Sequence, residues 1–234
     1  GNKNNDGTIG KPWDLSFAAS GAKGSIKPGD TVLVRGGTYH SETGYTIVVS
    51  GDATDKITFK AYPGETVILD GSIPEFTNPG NNEWEPYPTQ SSVQNVYRSV
   101  KDTFDVTGTT FYGGFINIDD KWYSLAPHKS EEYLTSETDE WRDSVPRYLG
   151  PGISQKKTKT INNHDYGYIL IRLDNSDSLV QLGRPVPQIS DPDPGNHSIY
   201  ICSSRSFGFT ITGSHLVVEG FAQRIARGNV PEFL

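Results

Sequence analysis

SIKPGDTVLVRGGTYHSETGYTIVVSGDATDKITFKAYPGETVILDGS, residues 25–72, contains four short runs rich in β-branched residues, separated at near-regular intervals by Gly, Pro and Asp. The runs cover residues 31–34, 46–49, 57–59 and 66–69, and each is too short for a helix and is closed by turn residues. A single run of this length cannot bury itself, whereas stacked coils bury a continuous core. The rhythm therefore predicts a coiled solenoid of short strands.

The turn residues in this stretch have mechanical reasons to be where they are. Pro63-Gly64 suits a type II turn, because Pro fixes φ at the second position and Gly accepts a positive φ at the third. Pro28-Gly29 is expected to do the same before the first run, and Gly36-Gly37 lets the backbone turn a tight corner after it. An antiparallel β-sandwich also has short strands and Gly-rich turns at similar spacing, so the rhythm alone leaves both folds open.

Two segments of the sequence resemble sequences that occur in a known fold. PGDTVLVRGGTY at residues 28–39 and YPGE at residues 62–65 are similar to the first coil of the right-handed parallel β-helix in the pectate-lyase-like superfamily. The resemblance implies a carbohydrate-active protein that cleaves polysaccharide glycosidic bonds, as a glycoside hydrolase or a lyase. It also implies that the catalytic residues lie on middle coils, which are not clearly present here, so they stay unknown. Calcium is a possible cofactor by this resemblance only.

Composition sets limits on partners and compartment. The 234 residues carry a formal net charge of -7 and 34% hydrophobic residues, as in an ordinary folded protein. No basic block suggests nucleic acid as a partner, and no run approaches the roughly 20 apolar residues of a membrane span. Cys202 is the only cysteine, so no intrachain disulfide is expected. The start at Gly1, followed by a polar lead-in, fits a removed signal peptide and export to the periplasm or cell exterior.

Three segments are expected along the chain. Residues 1–72 form an amino-terminal cap and the first β-helix coil, and the cap contains a short amphipathic helix within residues 10–19, with Trp13, Leu15 and Phe17 available for burial. Residues 73–195 form an inserted antiparallel, sandwich-like β-rich subdomain. Residues 196–234 resume the β-helix and end barely into another coil, as expected of the amino-terminal piece of a longer protein. A small protein that closes its open end by dimerising or with an unusual cap is the alternative.

Further strands are predicted from alternating apolar and polar residues. In the insertion they cover residues 96–100, 115–118, 121–125 and 168–173, and Asp119-Asp120 forms a hairpin tip. After the insertion, the runs at residues 198–202, 209–212 and 215–221 are expected to belong to the returning solenoid.

Few residues stand out as candidates for a site. Trp122, Tyr123 and His128 are the candidate substrate-binding residues, because aromatic rings stack on sugar faces and His exchanges hydrogen bonds. Core packing of Trp122 is the alternative. Asp191-Pro192-Asp193-Pro194 is expected to be a stiff loop rather than a metal pair, and no metal site is predicted.

Three functions are compatible with these features. The first is an exported enzyme that cleaves polysaccharide or oligosaccharide. The second is a non-catalytic carbohydrate-binding or surface-adhesion module, and the third is a purely structural solenoid. The resemblance to the superfamily favours the first function. This support is by analogy, because a fold does not determine a function.

Overall fold

The computed structural model describes residues 1–41, 43–89, 93–107, 114–135, 140–141, 145–146, 150–174, 189–201 and 208–224. The chain is all-β with few helices. Two short α-helices are present in these ranges, α1 Leu15–Ala19 and α2 Glu131–Leu134. The strands are β1 Thr31–Val34, β2 Gly37–His40, β3 Tyr45–Ile47, β4 Ile57–Ala61, β5 Val67–Asp70, β6 Trp84–Pro86, β7 Val96–Ser99, β8 Phe104–Asp105, β9 Gly114–Ile118, β10 Lys121–Pro127, β11 Glu140–Trp141, β12 Val145–Pro146, β13 Gly152–Ile161, β14 His164–Arg172, β15 Ser198–Ile201, β16 Phe209–Ile211, β17 Leu216–Glu219 and β18 Phe221–Arg224.

The described residues form two compact units. Unit 1 contains Gly1–Gly71 and residues 208–224, and unit 2 contains residues 72–201. The segment boundaries expected at residues 72 and 195 stay predictions. Cys202 lies outside the described residues. No helix in the described part of the chain is long and apolar enough to cross a membrane.

Unit 1 is built from small sheets in which every described strand pair is parallel. The sheets are β1-β4-β17, β2-β5-β18 and β3-β16. The chain visits these three sheets in the same order on successive passes, first through β1, β2 and β3, then through β4, β5 and β16, and then through β17 and β18. The four runs expected from the sequence are confirmed as strands β1, β3, β4 and β5, and β2 is an additional strand at the Gly-Thr-Tyr-His segment. The handedness of the path stays a prediction.

The expected turns of unit 1 are confirmed. Gly29 has φ of 88° and Gly64 has φ of 77°, both in the left-handed region that favours glycine. The N–H of Asp30 donates to the Lys27 carbonyl at 3.1 Å, and the N–H of Glu65 donates to the Tyr62 carbonyl at 2.9 Å. These bonds close the two Pro-Gly turns and set the points at which β1 and β5 begin.

The expected helix is also confirmed. Asp14 is its N-cap, since the carboxylate accepts the N–H of Phe17 at 2.7 Å. Leu15 is buried, and Trp13 and Phe17 are half-buried against the core of unit 1. The helix therefore contributes apolar side chains to the core of unit 1, and its role as the cap of a β-helix stays a prediction.

Alternation along the strands decides which side chains form the core of unit 1. In β4, Ile57 and Phe59 are fully buried, whereas Thr58 and Lys60 between and after them are half-exposed. Ile57 and Phe59 pack with Ile47 and the helix residues in one cluster. A second cluster combines residues from the other sheets: Leu15, Val34, Tyr45, Val67 and Leu69.

Unit 2 contains an eight-stranded sheet in the order β15-β9-β10-β13-β14-β7-β6, with β8 also paired to β14. All of its pairs are antiparallel except β10 with β13. The expected hairpin tip is confirmed, because Asp119 and Asp120 have φ of 50° and 61° between β9 and β10. The entry and exit of the unit are adjacent, since the N–H of Ile73 donates to the Ile201 carbonyl at 2.9 Å.

One strand assignment from the sequence is wrong. The run beginning at Ser198 was expected in the returning solenoid, but β15 pairs antiparallel with β9 in unit 2. The reason is burial, because Ile199 and Ile201 are 0% and 2% exposed in the main cluster of unit 2. Parallel pairing resumes only at Phe209, in β16.

Candidate functional site

The sheet of unit 2 has two faces that differ in what covers them. The first face packs on a large apolar cluster that includes Ile116, Leu125, Ile153, Ile171 and Ile199. The second face carries the residues that alternate with these. The second face holds two groups of side chains that could bind a ligand or take part in chemistry.

The neighbours Trp122 and Tyr123 point to opposite faces of β10, because successive strand residues alternate. Tyr123 packs against the apolar cluster of the first face. Trp122 lies on the second face, half-buried, and its ring centroid is 4.6 Å from that of Tyr200 at an interplanar angle of 56°. The structure therefore separates two residues that the sequence grouped, and it gives Trp122 a partner that the sequence did not suggest.

Strand register explains how Trp122 meets Tyr200. Trp122 is opposite Asn117 on β9, and Tyr200 is opposite Phe115 on the other side of β9. The two rings thus approach each other across β9 from β10 and β15. Phe115 shares their face and is buried. We call Phe115, Trp122 and Tyr200 the aromatic patch.

His128 shares the second face but is not part of the patch. It lies six residues beyond Trp122, which corresponds to about 20 Å along an extended chain. Its side chain is 4% exposed, and its backbone N–H donates to the Ile153 carbonyl at 2.8 Å. The ring lies directly over Gly152, where a Cβ would come within 2.5 Å of the imidazole. His128 is therefore a packed residue beside a glycine that makes room for it.

A second group on this face is ionic and was not expected from the sequence. The Tyr87 hydroxyl donates to the Glu131 carboxylate of α2, and the Lys156 ammonium lies 2.6 Å from both the Tyr87 oxygen and the other Glu131 oxygen. Burial and the bond to Glu131 raise the pKa of Tyr87 to about 12. The contacts with Glu131 and then Tyr87 raise the pKa of Lys156 above its ordinary value. The phenol and the ammonium are thus both held in their protonated forms.

Charged and aromatic residues continue this group across β14, β7 and β6. The Arg98 guanidinium lies 5.0 Å from the centroid of the Tyr168 ring and pairs with Glu85. The buried Arg172 binds Asp174 and donates to the Leu134 carbonyl at 3.1 Å. Each of these cations has a carboxylate beside it, and the group links α2 to the sheet and β7 to its neighbour β6.

The Asp-Pro-Asp-Pro segment is a turn, as expected. Asp191 accepts the N–H of Asp193 and the side-chain amide of Asn196, and Asp193 accepts the N–H of Gly195. The His197 ring lies 2.7 Å from the Asp191 carbonyl oxygen. No group of three or more His, Cys, Asp or Glu side chains that could hold a metal ion occurs in the ranges described above.

The motif residues that carried the resemblance have structural contacts in unit 1. Arg35 binds Glu65 through its Nε, at 3.0 and 2.9 Å from the two carboxylate oxygens, and through Nη2 at 2.7 Å. The same carboxylate accepts the N–H of Gly36. Arg35 and the Gly36 N–H hold the pKa of the Glu65 carboxyl below its usual range. The RGG and YPGE segments therefore link the β1–β2 corner to the β4–β5 corner.

Comparisons with known proteins show a likeness of fold. No protein-family model and no curated protein sequence matches the chain. A solved structure described as the complex structure of XylC with xylose matches with a TM-score of 0.56 and 17% identity, over 96% of this chain and 34% of that chain. A structure described as a glycoside hydrolase matches with a TM-score of 0.49 and 14% identity, over 97% of this chain and 49% of that chain. The chain thus spans about a third of the length of the XylC chain, and at this identity the XylC likeness concerns the fold alone.

Proposed function

We propose that the chain is part of an exported carbohydrate-active protein that cleaves glycosidic bonds of a polysaccharide. In this proposal, unit 1 forms the first coils of a right-handed parallel β-helix of the pectate-lyase-like type, and unit 2 is the β-rich subdomain inserted into it. The observation that carries the proposal is the repeated visit to three parallel sheets in one order. The fold likeness to a protein solved with xylose supports a sugar as the ligand.

The pairing in unit 1 argues for coils against the antiparallel sandwich that the rhythm left open. Thr58 of β4 is in register with Thr31 on one side and Val217 on the other, and all three strands run in the same direction. Antiparallel hairpins, the usual connections of a sandwich, cannot produce such pairs, because parallel neighbours need a crossover connection. A chain that stacks each pass on the previous one does produce them.

A non-catalytic carbohydrate-binding module is the second candidate, and the aromatic patch favours it. Half-buried Trp and Tyr rings offer apolar faces for sugar stacking without any acid or base. This function would need only affinity, whereas the first also needs groups that break a bond.

Incubation of the full chain with xylan, cellulose and polygalacturonate tests both candidates. Hydrolysis adds water across the glycosidic bond and creates a new reducing end. A lyase removes the C5 proton of a uronate and expels the C4 oxygen, which leaves a C4–C5 double bond that absorbs ultraviolet light. We expect binding to xylan in affinity electrophoresis, together with new reducing ends. Binding without new ends would favour the module, and the absence of both on every glycan would refute a carbohydrate function.

A further inference from the structure

The aromatic patch sits in an uncharged part of the second face. The positions of β9, β10 and β15 that share this face are uncharged without exception: Phe115, Asn117, Trp122, Ser124, Ala126, Ser198 and Tyr200. This contrasts with β13, β14 and β7 on the same face, where Lys156, Arg172 and Arg98 are found. In a chain with 21% charged residues, the neutral region is a local property of these strands.

The chemistry of this region matches that of a neutral sugar ring. A pyranose presents axial C–H bonds on one side and hydroxyl groups around its edge. The Trp122 ring is half-buried and provides an apolar surface, and the tilt of 56° makes Tyr200 a side wall rather than a second layer. Asn117 lies on the same face directly across from Trp122, and its amide both donates and accepts hydrogen bonds. Ser124, two residues along the strand, is exposed and adds a hydroxyl group.

Burial beneath the rings gives this corner a fixed shape. Phe115 is 4% exposed between the strands that carry Trp122 and Tyr200. Both strands also bury their opposite faces, through Leu125 and Ile199, which are 0% exposed. Rings held on strands that are packed in this way lose little conformational freedom when a ligand binds.

We propose that Trp122 and Tyr200, with Asn117 beside them, form a binding site for a neutral pyranose unit of a polysaccharide chain. The inference rests on the proposed carbohydrate function and adds the location of a sugar-binding site on unit 2 and the preference for uncharged units. Neutral units are expected to bind more tightly than uronate units, because no cation of the described second face lies on β9, β10 or β15 to balance a uronate carboxylate.

Isothermal titration calorimetry of the full chain with xylohexaose, cellohexaose and hexagalacturonate tests this site. Four variants are compared with the unchanged chain: Trp122→Ala, Trp122→Phe, Tyr200→Ala and, as a matched control, Ile161→Ala. Ile161 is also apolar and is 49% exposed, at the tip of the β13–β14 hairpin. Circular dichroism of each variant establishes that the fold is retained.

We expect Trp122→Ala and Tyr200→Ala to weaken binding of a neutral hexasaccharide by about tenfold or more, because each removes a stacking surface. Trp122→Phe should retain binding within about threefold, since the ring face remains. Ile161→Ala should leave affinity unchanged.

The outcomes separate the two proposals. Unchanged affinity of both alanine variants, in a chain that binds neutral sugars, would overturn the patch as the site while the carbohydrate function stands. Tighter binding of hexagalacturonate than of either neutral hexasaccharide would also overturn the patch assignment. Failure of the unchanged chain to bind or cleave any of the three sugars would overturn the carbohydrate function itself.

Discussion

Replacing Phe59 with Ala should destabilise unit 1 strongly, because this residue lies at the centre of its stacked strands. Phe59 is 0% exposed and is in register with Val32 on β1 and Val218 on β17. It packs in one cluster with Ile47, Ile57 and residues of helix α1. Truncating a fully buried Phe to Ala typically costs about 3–5 kcal/mol, from lost burial and from the cavity that remains. In a chain of this size that corresponds to a fall in melting temperature of roughly 6–20 °C.

Lys60→Ala is the matched control, because it changes the adjacent position on the other side of β4. Lys60 is half-exposed and its register partners are Leu33 and Glu219. Its replacement should alter the free energy of unfolding by no more than about 0.5 kcal/mol. Thermal and urea unfolding are followed by circular dichroism. If Phe59→Ala shifts the midpoint no further than Lys60→Ala does, the placement of Phe59 inside a stack of parallel strands is refuted.

Three further predictions concern backbone, titration and capping. Gly213→Ala should lower the melting temperature, because a Cβ there would overlap the Val49 carbonyl oxygen. Gly10→Ala is the control and should not lower it, because the space around Gly10 is open. Equal melting curves of the two variants would contradict the close approach of Gly213 to Val49. Ultraviolet titration of the phenols should show one group near pH 12 that Tyr87→Phe lacks. The raised pKa should stabilise the folded state fully below about pH 10, and this stabilisation should be lost as the pH rises through 12. An unchanged titration curve in Tyr87→Phe would contradict that assignment. Asp14→Ala should cost about 0.5–2 kcal/mol of unfolding free energy in urea, through loss of the helix N-cap, and Asp14→Asn should restore most of it.

Local sequence predicted those parts of the fold that local chemistry determines. The Pro-Gly turns at Gly29 and Gly64 and the hairpin at Asp119-Asp120 were predictable because their backbone angles favour these residue types. Strand β13 was missed, since its middle reads Gln-Lys-Lys-Thr-Lys and carries little apolar alternation. β13 pairs with β14 over most of its length, with one register shift. This pairing depends on tertiary contacts, which the local sequence does not specify.

The candidate site was predictable only in part, for a related reason. The aromatic character of Trp122 is visible in the sequence, but its partner Tyr200 is on a strand far along the chain. The grouping of Trp122 with Tyr123 was reasonable by proximity, and strand alternation separated the two. The bonds among Tyr87, Glu131 and Lys156 join three distant elements, so no short motif could have indicated them.

The hydrogen bond between Ile73 and Ile201 has a consequence for how unit 1 carries such a long insertion. Residues 41–44 connect β2 to β3 in the first pass, whereas residues 71–208 connect β5 to β16 at the equivalent corner. As a flexible loop, the longer connection would cost about 3 kcal/mol more in loop-closure entropy. Because the inserted unit brings its own ends together at 2.9 Å, that entropy is lost when unit 2 folds and not when the strands of unit 1 stack. Because the insertion needs only adjacent termini, another folded module with adjacent termini could replace it at the corner after β5.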